Sequence, residues 1–132
     1  MLFTEPARHL AELHADDAPT YSYRFSITTP DLKRVLGGAP HASEIPYVFD
    51  DSSAQRFPVE DVEGLADTIS DYWVAFATSS RPTHDGAPAW PAYDRRRRLM
   101  ELTKSGPRAV RDPWTARLDV VQAGYDAGMV PG

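Results

Sequence analysis

Residues 20–28 read T-Y-S-Y-R-F-S-I-T, with Tyr21, Tyr23, Phe25 and Ile27 alternating against Ser22, Arg24 and Ser26. A period of two puts the four apolar side chains on one face of an extended chain, so the pattern predicts a strand with one buried face. Over 62–77 the period changes. Leu65, Ile69, Tyr72, Trp73 and Phe76 recur at spacings of three and four and leave Asp67, Ser70 and Asp71 on the opposite side, which predicts an amphipathic helix. Residues 58–61 supply its start signal and Arg81-Pro82 its stop.

The remaining signals are weaker. A short helix is expected over 6–13, with Leu10 and Leu13 on one face beside Ala7 and Ala11, ended by Asp16, Asp17 and Pro19. Pro30, Pro40 and the Gly37-Gly38 pair mark 29–40 as a loop that delivers His41. Loops are also expected over 41–58 and 83–91, the latter anchored by Trp90-Pro91. A short strand is expected at 97–103 and a helix at 114–125, with Leu118, Val121 and Tyr125 on one side and a frayed tail at 128–132. Strands and helices do not alternate often enough to build a parallel sheet from this chain alone. One good strand, one good helix and much loop make a poor independent domain.

The length of 132 residues allows one domain and one core, and the 12 prolines fit many loops better than a helical bundle. A net charge of −5 with pI near 5.2 gives no electrostatic footprint for nucleic acid. The basic run from Arg95 to Arg98 is local and reads as a solvated turn. The absence of cysteine rules out a disulfide scaffold, a thiolate zinc site and a cysteine nucleophile. No stretch is long and apolar enough for a membrane span, and residues 1–13 lack the apolar core of a signal peptide, so a cytoplasmic protein without membrane or nucleic-acid partners is expected.

Four histidines carry the candidate chemistry. His9 and His14 lie five apart, a spacing that does not place both imidazoles on one helix face. His84, in T-H-D-G, belongs to a turn and is expected at the surface. His41 differs, because it follows a strand through a glycine-containing loop and precedes an apolar run, a place where a scaffold can present an imidazole. Read from pattern alone, a structural histidine remains the commoner outcome at such a position.

The run G-A-P-H-A-S-E-I-P-Y-V-F from Gly38 to Phe49 resembles the histidine motif of type-B carboxylesterases, the family of cholinesterases and para-nitrobenzyl esterases, written G-x-x-H-[GA]-x-E-[LI]-x-[YF]-V-F. Further similarities follow in the same order. Pro6-Ala7-Arg8 lies in a helix, Y-S-Y-R-F from Tyr21 resembles the family's V-Y-x-Y-x-F strand, and Y-W-V-A-F-A from Tyr72 resembles its last long helix. Trp90-Pro91-Ala92-Tyr93 completes the series, so the resemblance is strongest over 3–103.

It implies an α/β architecture over 1–132, the C-terminal fragment of an α/β-hydrolase fold comprising the last sheet strands, the histidine loop, and the C-terminal helix and cover. It also implies that His41 is the base and acid of a serine triad, since an imidazole with an ordinary pKa near about 6.5 can both take and return a proton near neutral pH. Glu44 is implied to be a supporting carboxylate that caps or hydrogen-bonds the loop carrying His41.

The chain departs from the family in what it lacks. None of its serines has glycine two positions away on both sides, so there is no G-x-S-x-G nucleophile elbow, and the triad acid is not recognisable either. The expected reaction is hydrolysis of a small-molecule carboxylic ester, with no metal or organic cofactor, by an assembly completed by an upstream segment or chain; the isolated chain is expected to be inactive and prone to self-association. A truncated gene, a misassigned start and one half of a split enzyme remain equally open, and a non-catalytic binding remnant of a hydrolase scaffold is the alternative.

Overall fold

The computed structural model describes residues 4–51, 53 and 64–129. Among these, the elements run α1 (Thr4–Ala15), β1 (Tyr23–Phe25), α2 (Pro30–Leu36), α3 (Ile45–Val48), α4 (Leu65–Ser79), β2 (Arg98–Thr103), β3 (Gly106–Arg111) and α5 (Thr115–Asp126). The chain divides into two compact units, one made of Met1–Ser22, Pro91–Leu99 and Val110–Gly132, the other of Tyr23–Trp90 and Met100–Ala109.

In the first unit α1 packs on α5, but with a different face from the one the apolar pattern marks. Glu5, Arg8 and Ala11 are buried, whereas Leu10 and Leu13 are 66% and 60% exposed. The reason is electrostatic. Arg8 Nη1 lies 2.7 Å from Asp119 Oδ1 on α5; Arg97 Nη1 reaches the same oxygen at 2.6 Å and Arg97 Nε reaches Glu12 Oε1 at 3.1 Å. A buried guanidinium is tolerated only when paired, and the pairing turns α1 toward its charged stripe.

Leu118, fully buried, supplies the apolar contribution of α5. That helix starts where Asp112 accepts a hydrogen bond from the Trp114 amide at 2.8 Å, while the Thr115 hydroxyl donates to the Asp112 carbonyl at 2.7 Å. Arg95 and Arg96 form a turn, as the pattern suggests, whereas Arg97 is ion-paired with Asp119 and Glu12 and Arg98 opens β2: Asp94 accepts from the Arg96 amide at 2.9 Å and from Arg98 Nη2 at 3.0 Å, with Arg97 at φ 54. Tyr93 is buried nearby, and its amide donates to the Thr20 carbonyl at 2.7 Å. Burial, with the Glu12 carboxylate adding to it, pushes its phenol up to about 12 against the opposing pull of Arg97 and Arg8.

The second unit is built on a three-stranded sheet in the order β1-β2-β3. β1 runs parallel to β2 in the register Tyr23 to Met100, Arg24 to Glu101 and Phe25 to Leu102. β2 and β3 are joined by the two-residue turn Lys104-Ser105, a connection that antiparallel neighbours use, and Gly106 leaves it at φ 105, a conformation open to glycine. The central strand has four consecutive buried residues, Leu99 to Leu102, the mark of a strand covered on both faces.

One of these four is a charge. Glu101 accepts Arg108 Nε at 2.9 Å and Nη2 at 2.6 Å from β3, and the Ser26 hydroxyl at 2.9 Å from the end of β1. Burial opposes its ionisation, but the hydrogen bonds from Arg108 and Ser26 prevail and hold its carboxyl below the usual range. Because a one-residue slip would break all three bonds, Glu101 fixes the register of the sheet.

The strand expected over 20–28 is only three residues long. Ile27 is buried as the alternation requires, yet Tyr23 is 41% exposed and packs sideways, edge to face with Trp73 and Trp90 at 5.2 and 6.2 Å between ring centroids. The long helix matches its pattern at Leu65, Ile69 and Tyr72, all buried, but Phe76 is 46% exposed and lies outside the core. α4 begins after Gly64 at φ 73 and ends on Ser80 at φ 59; the start signal read at 58–61 lies outside the described residues. Tyr72 donates its hydroxyl to the Pro88 carbonyl and stacks edge to face on Trp90 at 5.4 Å, tying the 83–90 loop to the helix. β3, α2 and α3 are additions to what the pattern predicts.

Candidate active site

The segment expected as an unstructured loop over 29–40 contains a helix, and that helix sets up His41. Thr29 caps it: the Leu32 amide donates to Thr29 Oγ1 at 3.3 Å, and Pro30 occupies the first turn, where its missing N–H costs nothing. At the other end Gly37, at φ 78, turns the chain and donates its amide to the Lys33 carbonyl at 2.9 Å. The two residues that read as loop punctuation are therefore the start and the stop of α2.

From there a succession of tight turns leads into α3. The Ser43 amide and hydroxyl both donate to the Pro40 carbonyl, at 3.2 and 2.7 Å, closing a turn with His41 and Ala42 at its centre. Ala42 sits at φ 65, the left-handed region that an L-residue enters at a cost of roughly 1–2 kcal/mol. Ile45 donates to the Ala42 carbonyl at 3.4 Å, and Tyr47 and Val48 both donate to the Glu44 carbonyl at 3.0 Å. α3 is seated from both sides, packing on α4 and placing Tyr47, 5% exposed, against Phe25 of β1 at 5.3 Å between ring centroids.

His41 rides on the outer side of this turn and is exposed, while Ser43 is 4% exposed beneath it. Glu44 is half-buried at the N-terminal end of α3, but it serves the loop through its backbone carbonyl: its carboxylate makes no capping hydrogen bond. The carboxylate acts instead on Tyr23, whose phenol is raised first by burial and then by the Glu44 charge. The Glu44 side chain, expected to cap or hydrogen-bond the loop, therefore does not cap α3. Ser43, excluded as a nucleophile by its flanks, is the residue whose side chain does close the loop. The only sequence signal for it is a hydroxyl residue three positions after a proline.

The other histidines lie elsewhere. His9 and His14 are exposed, with His14 Nδ1 2.8 Å from the Thr20 hydroxyl. His84 is less open than its turn suggests: it is half-buried, its Nδ1 lies 3.1 Å from Asp71 Oδ2, and its ring sits 6.1 Å from that of Tyr72. Among the described residues no group of three or more His, Asp or Glu side chains is arranged to hold a metal ion, and no helix is long and apolar enough to cross a membrane.

Residues 1–120 match the model of the carboxylesterase family. The chain is 29% identical over 106 residues to the cocaine esterase of Homo sapiens, covering 76% of this chain and 19% of that protein. It is 31% identical over 108 residues to liver carboxylesterase 1 of Oryctolagus cuniculus, covering 77% and 19%. The chain therefore spans about a fifth of the length of these curated relatives. Among solved structures, an esterase from the anaerobe Clostridium hathewayi superposes with a TM-score of 0.70 at 23% identity, over 92% of this chain and 24% of that one. Aspergillus niger EstA gives the same TM-score at 22% identity, over 92% and 26%. The fold is that of a portion of an α/β-hydrolase.

Proposed function

We propose, because this chain belongs to the carboxylesterase family, that it contributes the acid–base histidine, His41, to an ester-hydrolysing site whose nucleophile and oxyanion donors come from another segment. The observation that carries this reading is the position of His41: exposed on a turn closed by Ser43 and Pro40, between a capped helix and an anchored one, in register with the family's histidine motif. In such a site the imidazole takes the proton of an attacking serine and returns it to the departing alcohol, leaving an acyl-enzyme that water then hydrolyses. A carboxylate from the complementing segment would hold the other ring nitrogen. Glu44, at the start of α3 with its charge felt at Tyr23, is the supporting residue behind the turn.

The substrate class is a small carboxylic ester, and the 132 residues alone are silent. No serine here has the glycine-flanked elbow that exposes a nucleophile at the top of a hydrolase sheet. On this reading the chain associates with a complementing polypeptide or with itself. The test is hydrolysis of para-nitrophenyl acetate and butyrate by the chain alone and by the chain co-expressed with the sequence encoded immediately upstream, each beside His41→Ala. Turnover only in the combined sample, lost with His41→Ala, supports the reading. Silence in both favours a binding remnant.

A further inference from the structure

We infer that Ser43 is a positioning residue for His41, its hydroxyl fixing the direction in which the imidazole is presented. The inference rests on the catalytic reading of His41 for its purpose, but not for its physics. Ser43 is 4% exposed, and a buried hydroxyl needs a partner; it has one in the Pro40 carbonyl, 2.7 Å away. The same carbonyl accepts the Ser43 amide at 3.2 Å, so the backbone on the two sides of His41-Ala42 is clamped to a single oxygen by two donors.

The clamp has work to do. Ala42 is held at φ 65, and a strained backbone persists only where its surroundings over-determine it. Without the hydroxyl bond the turn keeps the 3.2 Å Ser43 amide bond and the 3.4 Å bond from the Ile45 amide to the Ala42 carbonyl, and Ala42 can relax toward the right-handed region. A change of that kind at the residue after His41 swings the backbone that carries the imidazole. General acid–base catalysis is sensitive to this, since a misplacement of about 1 Å can cost on the order of a hundredfold in rate. Downstream, Tyr47 on Phe25 and the Glu44 carbonyl bonds hold α3 in place. The Ser43 hydroxyl is the side-chain bond that transmits this rigidity back across His41.

The experiment follows the turn in the full, isotope-labelled 132-residue chain, measuring the three-bond couplings that report the backbone φ of His41 and Ala42, together with the melting temperature, for wild type, Ser43→Ala and Ser43→Thr. The expected result is an Ala42 coupling in the wild type that matches its left-handed φ and moves toward the right-handed or averaged value in Ser43→Ala, while the couplings of His9, His14 and His84 stay as they are, and a return toward the wild-type value in Ser43→Thr, which restores the hydroxyl. If Ser43→Ala does not fold, Ser43→Cys, similar in volume and a weak donor, takes its place with the same expectation.

An unchanged Ala42 coupling in the folded variant overturns the inference. So does averaging that appears equally at His84, which would make Ser43 a merely structural residue. Because the readout is conformational, it is separate from catalysis: ester hydrolysis that never appears while the Ala42 coupling shifts as expected counts against the catalytic reading and leaves the positioning role standing.

Discussion

Arg8 Nη1 and Asp119 Oδ1 lie 2.7 Å apart although 111 residues separate them in the chain, and this pair decides which face of α1 is buried. Asp119 also receives Arg97 at 2.6 Å, so one carboxylate is shared by two guanidiniums, with Glu12 the second partner of Arg97, and the hydrogen bond from Arg8 is the main reason the Asp119 pKa is lowered. Replacing the carboxylate leaves the buried Arg8 with a neutral partner. Asp119→Asn is therefore expected to lower the melting temperature and to speed amide exchange along α1, by more than Asp126→Asn on the exposed end of α5. Equal effects of the two substitutions in a thermal melt would show that the pair does not hold the helix.

Ala42 offers a gain of stability. Its φ of 65 suits glycine, and removing the Cβ relieves roughly 1–2 kcal/mol while adding about 0.5–1 kcal/mol of backbone entropy cost. Ala42→Gly is expected to raise the unfolding free energy by up to about 1.5 kcal/mol in denaturant titration. A clear loss of stability would mean that the methyl group packs usefully enough to outweigh the strain.

Acid should loosen the sheet at Glu101. Its folded pKa lies below the ordinary value of about 4.5, so the unfolded chain binds the proton more readily. The stabilisation is fully present above that ordinary value and is lost as pH falls through the lower, folded one. Glu101→Gln keeps the shape but removes the charge that Arg108 pairs with; it is expected to unfold more easily at neutral pH and to show a flatter loss of stability below about pH 4.5. Melting temperatures measured from pH 3 to 7 check both, and parallel curves for variant and wild type would contradict them.

The long elements were legible where burial and periodicity agree: Leu65, Ile69 and Tyr72 mark α4 although Phe76 is exposed, whereas of the face expected for α5 only Leu118 is buried and Tyr125 is exposed. Legibility failed where local signals have two meanings. Pro30 and Gly37 punctuate a loop equally well as they cap a helix, and only the Thr29 hydroxyl bond distinguishes the two. β3 carries Pro107 and exposes Arg108, Ala109 and Arg111, so it has neither the propensity nor the alternation of a strand; it is held by the tight turn and by the reach of Arg108 to Glu101.

The inverted face of α1 was hidden for another reason. Its determinant is a charge on α5, far along the chain, while Leu10 and Leu13 present the stronger local pattern. At the candidate site His41 and its motif were readable from residue identity. The left-handed Ala42 and the buried Ser43 hydroxyl were not, because backbone conformation at a single alanine leaves no trace in periodicity.

The most direct measurement is para-nitrophenyl butyrate turnover by a chimaera in which the part of the Clostridium hathewayi esterase that superposes on this chain is replaced by residues 1–132. Hydrolysis by the folded chimaera, reduced at least about a thousandfold by His41→Ala, is the expected result. A folded chimaera with no hydrolysis, or one whose rate is unaffected by His41→Ala, would contradict the assignment of His41 as its acid–base residue.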